Sequence, residues 1–228
     1  MGDGIRLGAW QSRRLAARLW HGVLAAVVAF ALISQLWLLL TGGADANSGR
    51  TDTHLALTER LVRLFSYFTI QSNLFVLVAT ITLAINPARD GRRWRVIRLD
   101  ALLGIVITGL VFGIVLAKLV HLTGLAFWVT VGFHYVSPWM TLLGWLLFGP
   151  RPRISWSTVG LSFIWPALWI VYTFVHGAVI RWYPYPFLNP DRIGYPSALW
   201  NTVIILMGAG ILALALKALD RWLPVKER

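Results

Sequence analysis

Thr69, Ser72 and Asn73 fall at i, i+3 and i+4 within an otherwise apolar stretch, so on a helix they share one face. Ser66 extends that stripe and Gln71 points away from it. Further along, His134, Ser137 and Thr141 share a face in the same way, and Pro138 removes the N–H that would have bonded the carbonyl of His134. A hydroxyl and an imidazole suit acyl transfer. Threonine is a weak nucleophile at its free pKa and needs a base beside it, with hydrogen-bond donors for the oxyanion that develops. Neutral imidazole can take the hydroxyl proton and return it to a leaving group, and Ser72, Asn73 and Asn201 are candidate donors. The competing reading is structural: the same groups could join one helix to another or satisfy the proline kink. Lys118, His121 and His176 complete the polar set, either at the site or as side chains snorkelling to the water boundary. The chain has no cysteine, which excludes disulfides, thiolate metal ligation and a Cys nucleophile. GxSxG and HExxH are absent too, so neither a serine-hydrolase elbow nor a zinc-protease helix is available. No metal and no cofactor are expected.

The elements that must hold these groups are membrane spans. The chain is 57% hydrophobic and 13% charged. Its apolar runs cover residues 19–41, 65–86, 101–123, 125–149, 156–180 and 197–219, each near the roughly 20 residues that cross about 30 Å of hydrocarbon. The connections are too short for a separate soluble domain, so residues 1–228 are expected to form one all-α, six-span unit. The first run follows Arg13 and Arg14 and precedes an Ala44-Asp45-Ala46 triplet, but its apolar core exceeds a signal peptide's and it reads as a retained span.

The net charge of +12 would suggest nucleic acid in a soluble protein, but here the placement matters more than the sum. Of 21 Lys and Arg, fifteen fall in the N-terminal tail, the second and fourth connections and the C-terminus: from Arg6 to Arg18, Arg89 to Arg98, Arg151 to Arg153, and Lys217 to Arg228. Arg50, Arg60, Arg63, Arg181 and Arg192 lie in the other connections, and Lys118 falls within the third run. The positive-inside rule then puts both termini in the cytoplasm, where the basic clusters would meet anionic lipid head groups rather than nucleic acid.

Counting from each cytoplasmic end at 1.5 Å per residue puts Thr69 at about 25 Å, His134 at about 22 Å and Asn201 at about 24 Å. Three helices thus bring polar groups to one level in the outer half, and the apolar inner half argues against a continuous transport path. Thr41 to Arg63 is the longest polar stretch and reads as a loop leading into a short interfacial helix from about Thr53. Gly109 and Gly113 have GxxxG spacing for close helix approach. Among thirteen tryptophans, Trp20, Trp128, Trp156, Trp182, Trp200 and Trp222 suit interfacial anchoring, whereas Trp139, Trp145, Trp165 and Trp169 suit packing between helices. Trp182 to Pro190 holds three prolines and should form a stiff outer loop or plug.

Three stretches carry a resemblance: FSYFTIQSN (Phe65 to Asn73), GFHYVSPWMTLLGWLLFGPR (Gly132 to Arg151) and Tyr172 to Leu188, ending in YPFL. In order along the chain they resemble the androgen-induced and androgen-dependent membrane hydrolase family, whose bacterial multi-span relatives share the first two. The resemblance implies a six-span intramembrane threonine hydrolase of a bacterial plasma membrane, acting on fatty acid esters of hydroxy fatty acids or related lipids. By motif position it implies Thr69 as nucleophile and His134 as base. Phe133 and Tyr135 stand where the family carries polar flanks. The alternative is a non-enzymatic membrane protein whose polar cluster binds lipid or stabilises the bundle, with a transporter as a third reading.

Overall fold

The computed structural model describes residues 2–223, with side chains from Trp10 onward. Lys226, Arg228 and the Arg6 side chain, counted above among the basic clusters, lie outside the described residues. The described chain is all-helical, with no strand. Helix α1 (Gly2–Thr41) is followed by the short α2 (Leu57–Ser66), then α3 (Phe68–Ile85) and α4 (Arg92–Val111), which continues through a π-helical turn, Phe112–Leu116. α5 (Gly124–Val131), a second π-helical turn (Gly132–Val136) and α6 (Ser137–Phe148) form one uninterrupted run. α7 (Trp156–Ser162) and α8 (Ile164–Ile180) meet at Phe163. A 3-10 turn (Pro186–Leu188) and the one-turn α9 (Pro190–Ile193) lead to α10 (Tyr195–Trp222).

Five runs are long and apolar enough to cross a membrane: Trp10–Thr41, Phe68–Ile85, Arg92–Leu116, Trp156–Ile180 and Tyr195–Trp222. This is the make-up of a multi-pass integral membrane protein. The run Gly124–Phe148 is helical throughout but is not among the five.

Several expected boundaries shift, and the helices carrying the first and third runs begin earlier than expected, at Gly2 and Arg92. Phe65 and Ser66 belong to α2, and extended backbone at Tyr67 separates them from α3, so the second span starts at Phe68 and Thr69 becomes its second residue. The third helical run stops at Leu116. Lys118 therefore lies in a turn beyond the helix and His121 in the connection, both exposed, rather than within or one turn above a span.

α4 is the central helix, with 61% of its apolar window buried, against 17% for the Trp156–Ile180 and Tyr195–Trp222 runs. Bilayer helices gain little from hydrophobic burial against one another, so small residues and hydrogen bonds at the contacts matter. Gly104 lies against Trp165 and Ser72, and Gly109 against the Pro138 ring and the His134 carbonyl. Gly113 faces open space, so only the first glycine of the expected pair makes a close contact. Trp139, expected between helices, is exposed, while Trp145 and Trp169 are buried. At the far end of the bundle, Asp220 Oδ2 accepts the backbone N–H groups of Arg153 (2.6 Å) and Ile154 (2.7 Å), tying the 149–155 connection to α10.

Candidate functional site

Thr69 and His134 meet. Thr69 Oγ1 lies 3.4 Å from His134 Nε2, and both residues are 2% exposed. The local chemistry explains why this imidazole is held as it is. Pro138 has no N–H to return to His134, and the Ser137 N–H instead reaches five residues back to the Gly132 carbonyl, forming the π-helical turn that carries the histidine. Its other ring nitrogen, Nδ1, is 3.2 Å from the Thr130 carbonyl one turn earlier. That contact calls for a proton on Nδ1 and leaves the Nε2 lone pair facing the threonine hydroxyl. A main-chain carbonyl thus orients the imidazole. Thr130 is itself fixed, its hydroxyl donating to the Ala46 carbonyl at 2.6 Å, and Ala46 N–H donates to Gln35 Oε1. The Phe112 ring, at the start of the other π-helical turn, stacks on the imidazole with centroids 3.8 Å apart.

A third residue completes the cluster, and the sequence reading missed it. Tyr185 Oη is 3.1 Å from Thr69 Oγ1 and accepts the Thr69 N–H at 3.2 Å. α3 has no side-chain cap of its own, so this phenol supplies an acceptor that its first turn lacks. Either hydroxyl can donate in the Thr69–Tyr185 contact, and when the Thr69 proton turns to His134 the phenol is the donor. Burial pushes the Tyr185 phenol up to about 12, so it carries its proton at any physiological pH. Tyr185 lies between Pro184 and Pro186 in the expected plug, stacks on Phe187, and meets Tyr67 edge-on and Trp169 at a tilt. The proline-rich stretch signalled a stiff loop, and nothing in its spacing signalled which side chain it would aim inward.

The other expected residues are placed differently. Asn73 is buried beneath Thr69 and donates from Nδ2 to the Thr69 carbonyl at 2.9 Å, closing a helical turn rather than facing a ligand. Ser72 is buried one turn deeper, 3.3 Å from Thr108 Oγ1. Asn201 donates to the Phe187 carbonyl at 2.9 Å and so anchors the plug to α10. His176 stacks on Tyr172, whose hydroxyl is 2.7 Å from Ser66 Oγ, to one side of the cluster. Lys118 and His121 are exposed at the end of α4 and do not join it.

Thr69 forms part of the wall of a cavity enclosing about 830 Å³ of empty space, open solvent included. Tyr185, Phe187 and Leu188 close one end. Gly104, Ile107, Thr108 and Val111 of α4 form the inner wall, facing Trp165, Trp169 and Ile170 of α8 and Ile205 and Leu206 of α10. Trp165 and Trp169 are fixed by N–H donation to Gln71 Oε1 and the Ser66 carbonyl, at 2.8 and 2.9 Å. α8 and α10, which make few contacts with each other, both contribute to the cavity wall. Its lining is almost wholly apolar. Comparison of the chain with protein-family models, with curated proteins and with solved structures gives no match.

Proposed function

We propose that this protein is an intramembrane lipid esterase whose nucleophile is Thr69 and whose general base is His134. The observation that carries the reading is the approach of His134 Nε2 to Thr69 Oγ1, a hydroxyl whose residue lines an almost wholly apolar cavity. The resemblance of the Phe65–Asn73 and Gly132–Arg151 stretches to membrane threonine hydrolases points the same way, and with it to bacterial plasma membrane and to esters of hydroxy fatty acids or related lipids.

The chemistry follows from the positions. An ester entering sideways between α8 and α10 lays one tail in the cavity and brings its carbonyl to Thr69. The threonine oxygen attacks the carbonyl carbon while its proton passes to His134 Nε2. The oxyanion takes a hydrogen bond from the Tyr185 hydroxyl, at the N-terminal end of α3, where the helix dipole favours negative charge. Collapse breaks the bond to the alkoxy oxygen, which leaves with the proton from His134. Water then attacks the acyl-threonine, giving its proton to His134, and the fatty acid departs as that proton returns to Thr69. Phe112 offers its ring face to the transient imidazolium.

The architecture proposed with this function has six spans, counting Gly124–Phe148, with both termini cytoplasmic because the basic clusters gather on that side. Anionic lipids there are the natural partners of those clusters. The second reading, a lipid-binding protein without catalysis, is favoured by the apolar lining alone. Turnover of fatty-acyl esters of hydroxy fatty acids by purified wild type and Thr69→Ala separates the two. The esterase reading requires hydrolysis by the first only. Equal turnover by two folded samples, or none by either across a broad ester panel, overturns it.

A further inference from the structure

The cavity does not end in hydrocarbon. At the end remote from Thr69 its wall includes Asp100 of α4 and Ser162 of α7. Asp100 is 7% exposed, and its Oδ1 is sealed from solvent with no hydrogen-bond partner. The hydroxyls along the same wall are already committed as donors: Thr108 to the Gly104 carbonyl, Ser162 to Val159, and Thr202 to Ala198. What remains unused at the remote end is therefore acceptor capacity on the Asp100 carboxyl: Oδ1 is sealed, and Oδ2, on a residue that lines the cavity, makes no hydrogen bond either. A buried acceptor without a donor is costly, and a plain methyl terminus would leave it so.

The distance between the two ends can be read from the helices. Ser72 sits against Gly104 and Thr108, Thr69 lies nearly one turn beyond Ser72, and Asp100 lies about one turn before Gly104. At 1.5 Å per residue the polar ends are about 13 Å apart along the bundle, close to half of the roughly 30 Å hydrocarbon thickness. That is the reach of one medium-length acyl tail.

We infer that the cavity selects an acyl chain carrying a hydroxyl at its far end, which donates to the Asp100 carboxyl while the ester carbonyl rests at Thr69. This deepens the esterase reading, and rests on its assignment of the cavity to the acyl chain. A hydroxyl fits better than an ammonium, because the group must pass along an apolar wall on which an unpaired charge would be strongly disfavoured. Specificity of this kind is steep, since a site that hydrogen-bonds a hydroxyl is left with an unpaired group when the hydroxyl is missing.

The test measures binding without hydrolysis, so its outcome is separate from that of the catalytic assay. Lauryl methyl ether and its ω-hydroxy counterpart, which have no ester to cleave, are titrated against the full-length wild type, Asp100→Leu and Asp100→Asn by native mass spectrometry. Wild type should bind the hydroxy ether about tenfold or more tightly than the plain ether, the value of one hydrogen bond to a carboxyl group. Asp100→Asn, which keeps an acceptor, should retain most of that preference, and Asp100→Leu should lose it while binding the plain ether at least as well as wild type does. Equal binding of the two ethers by wild type, binding of neither, or a preference that survives in folded Asp100→Leu overturns the inference. The wild-type ratio decides the matter even if Asp100→Leu fails to fold.

Discussion

Thr69 Oγ1 and His134 Nε2 stand 3.4 Å apart although 65 residues separate them in the chain, and the second imidazole nitrogen is held by the Thr130 carbonyl at 3.2 Å. The pair therefore faces one way, from an oriented base to a hydroxyl on a cavity wall. If the two act as one unit, their loss is not additive. Thr69→Ala and His134→Ala should each lower kcat by several orders of magnitude, and the double variant should be hardly worse than either. Thr69→Ala should remain folded, since removing one hydroxyl from a membrane helix costs about 1 kcal/mol. Single-turnover rates on a fatty-acyl ester, with thermal unfolding alongside, check this, and multiplicative losses would mean that the residues act separately.

Tyr185 supplies the next prediction. Tyr185→Phe keeps the ring stack and removes only the hydroxyl that meets Thr69. Loss of one oxyanion donor typically costs about 10²–10³ in kcat, and KM should change little because the hydrogen bond strengthens in the transition state. A variant that raises KM with kcat intact would assign the phenol to substrate binding instead.

Gly109 and Gly113 test the packing behind His134. A Cβ on Gly109 would lie 2.8 Å from the Pro138 ring and 3.2 Å from the His134 carbonyl, so Gly109→Ala must displace the π-helical turn that aims the imidazole. It should destabilise by about 1–3 kcal/mol, as overpacking does, and lower kcat with it. Gly113→Ala enters open space and should change stability by no more than about 0.5 kcal/mol. Similar melting shifts for the two would remove this account of the packing.

Much of this was legible in the sequence, for identifiable reasons. Long apolar runs announce spans, and polar side chains within them stand out by contrast, so Thr69 and His134 could be singled out and their shared level estimated from helix rise. The break at Tyr67 was hidden because Phe65 to Asn73 is apolar enough to read as one helix. Lys118 and His121 were assigned by continuing α4 past Leu116, where no proline marks the stop. Tyr185 and the Thr130 carbonyl were missed for a different reason: one is a loop side chain aimed by tertiary contacts, the other a main-chain group with no signature in residue type. Asp100 was taken as a span boundary, and the inner half of the bundle as apolar, yet His21, Thr80, Asp100 and Ser162 are all buried there. Composition shows where a polar residue stands in the chain, and only packing shows which cavity it borders.

The proposed orientation has its own check. Cysteines introduced at Ser48 and at Asp90 should react from opposite sides of intact cells, Ser48→Cys with a membrane-impermeant thiol reagent and Asp90→Cys only after permeabilisation. Equal labelling of both before permeabilisation would refute the arrangement with both termini in the cytoplasm.

The central claim is that Thr69 is a nucleophile activated by His134, and covalent capture tests it most directly. Purified wild type, Thr69→Ala and His134→Ala, each shown to be folded, are treated with a hydrolase-directed fluorophosphonate and mapped by peptide mass spectrometry. The account predicts an adduct on the peptide containing Thr69, absent in Thr69→Ala and strongly reduced in His134→Ala. Labelling that persists undiminished in Thr69→Ala, or a folded wild type that neither labels nor turns over any lipid ester, would contradict it.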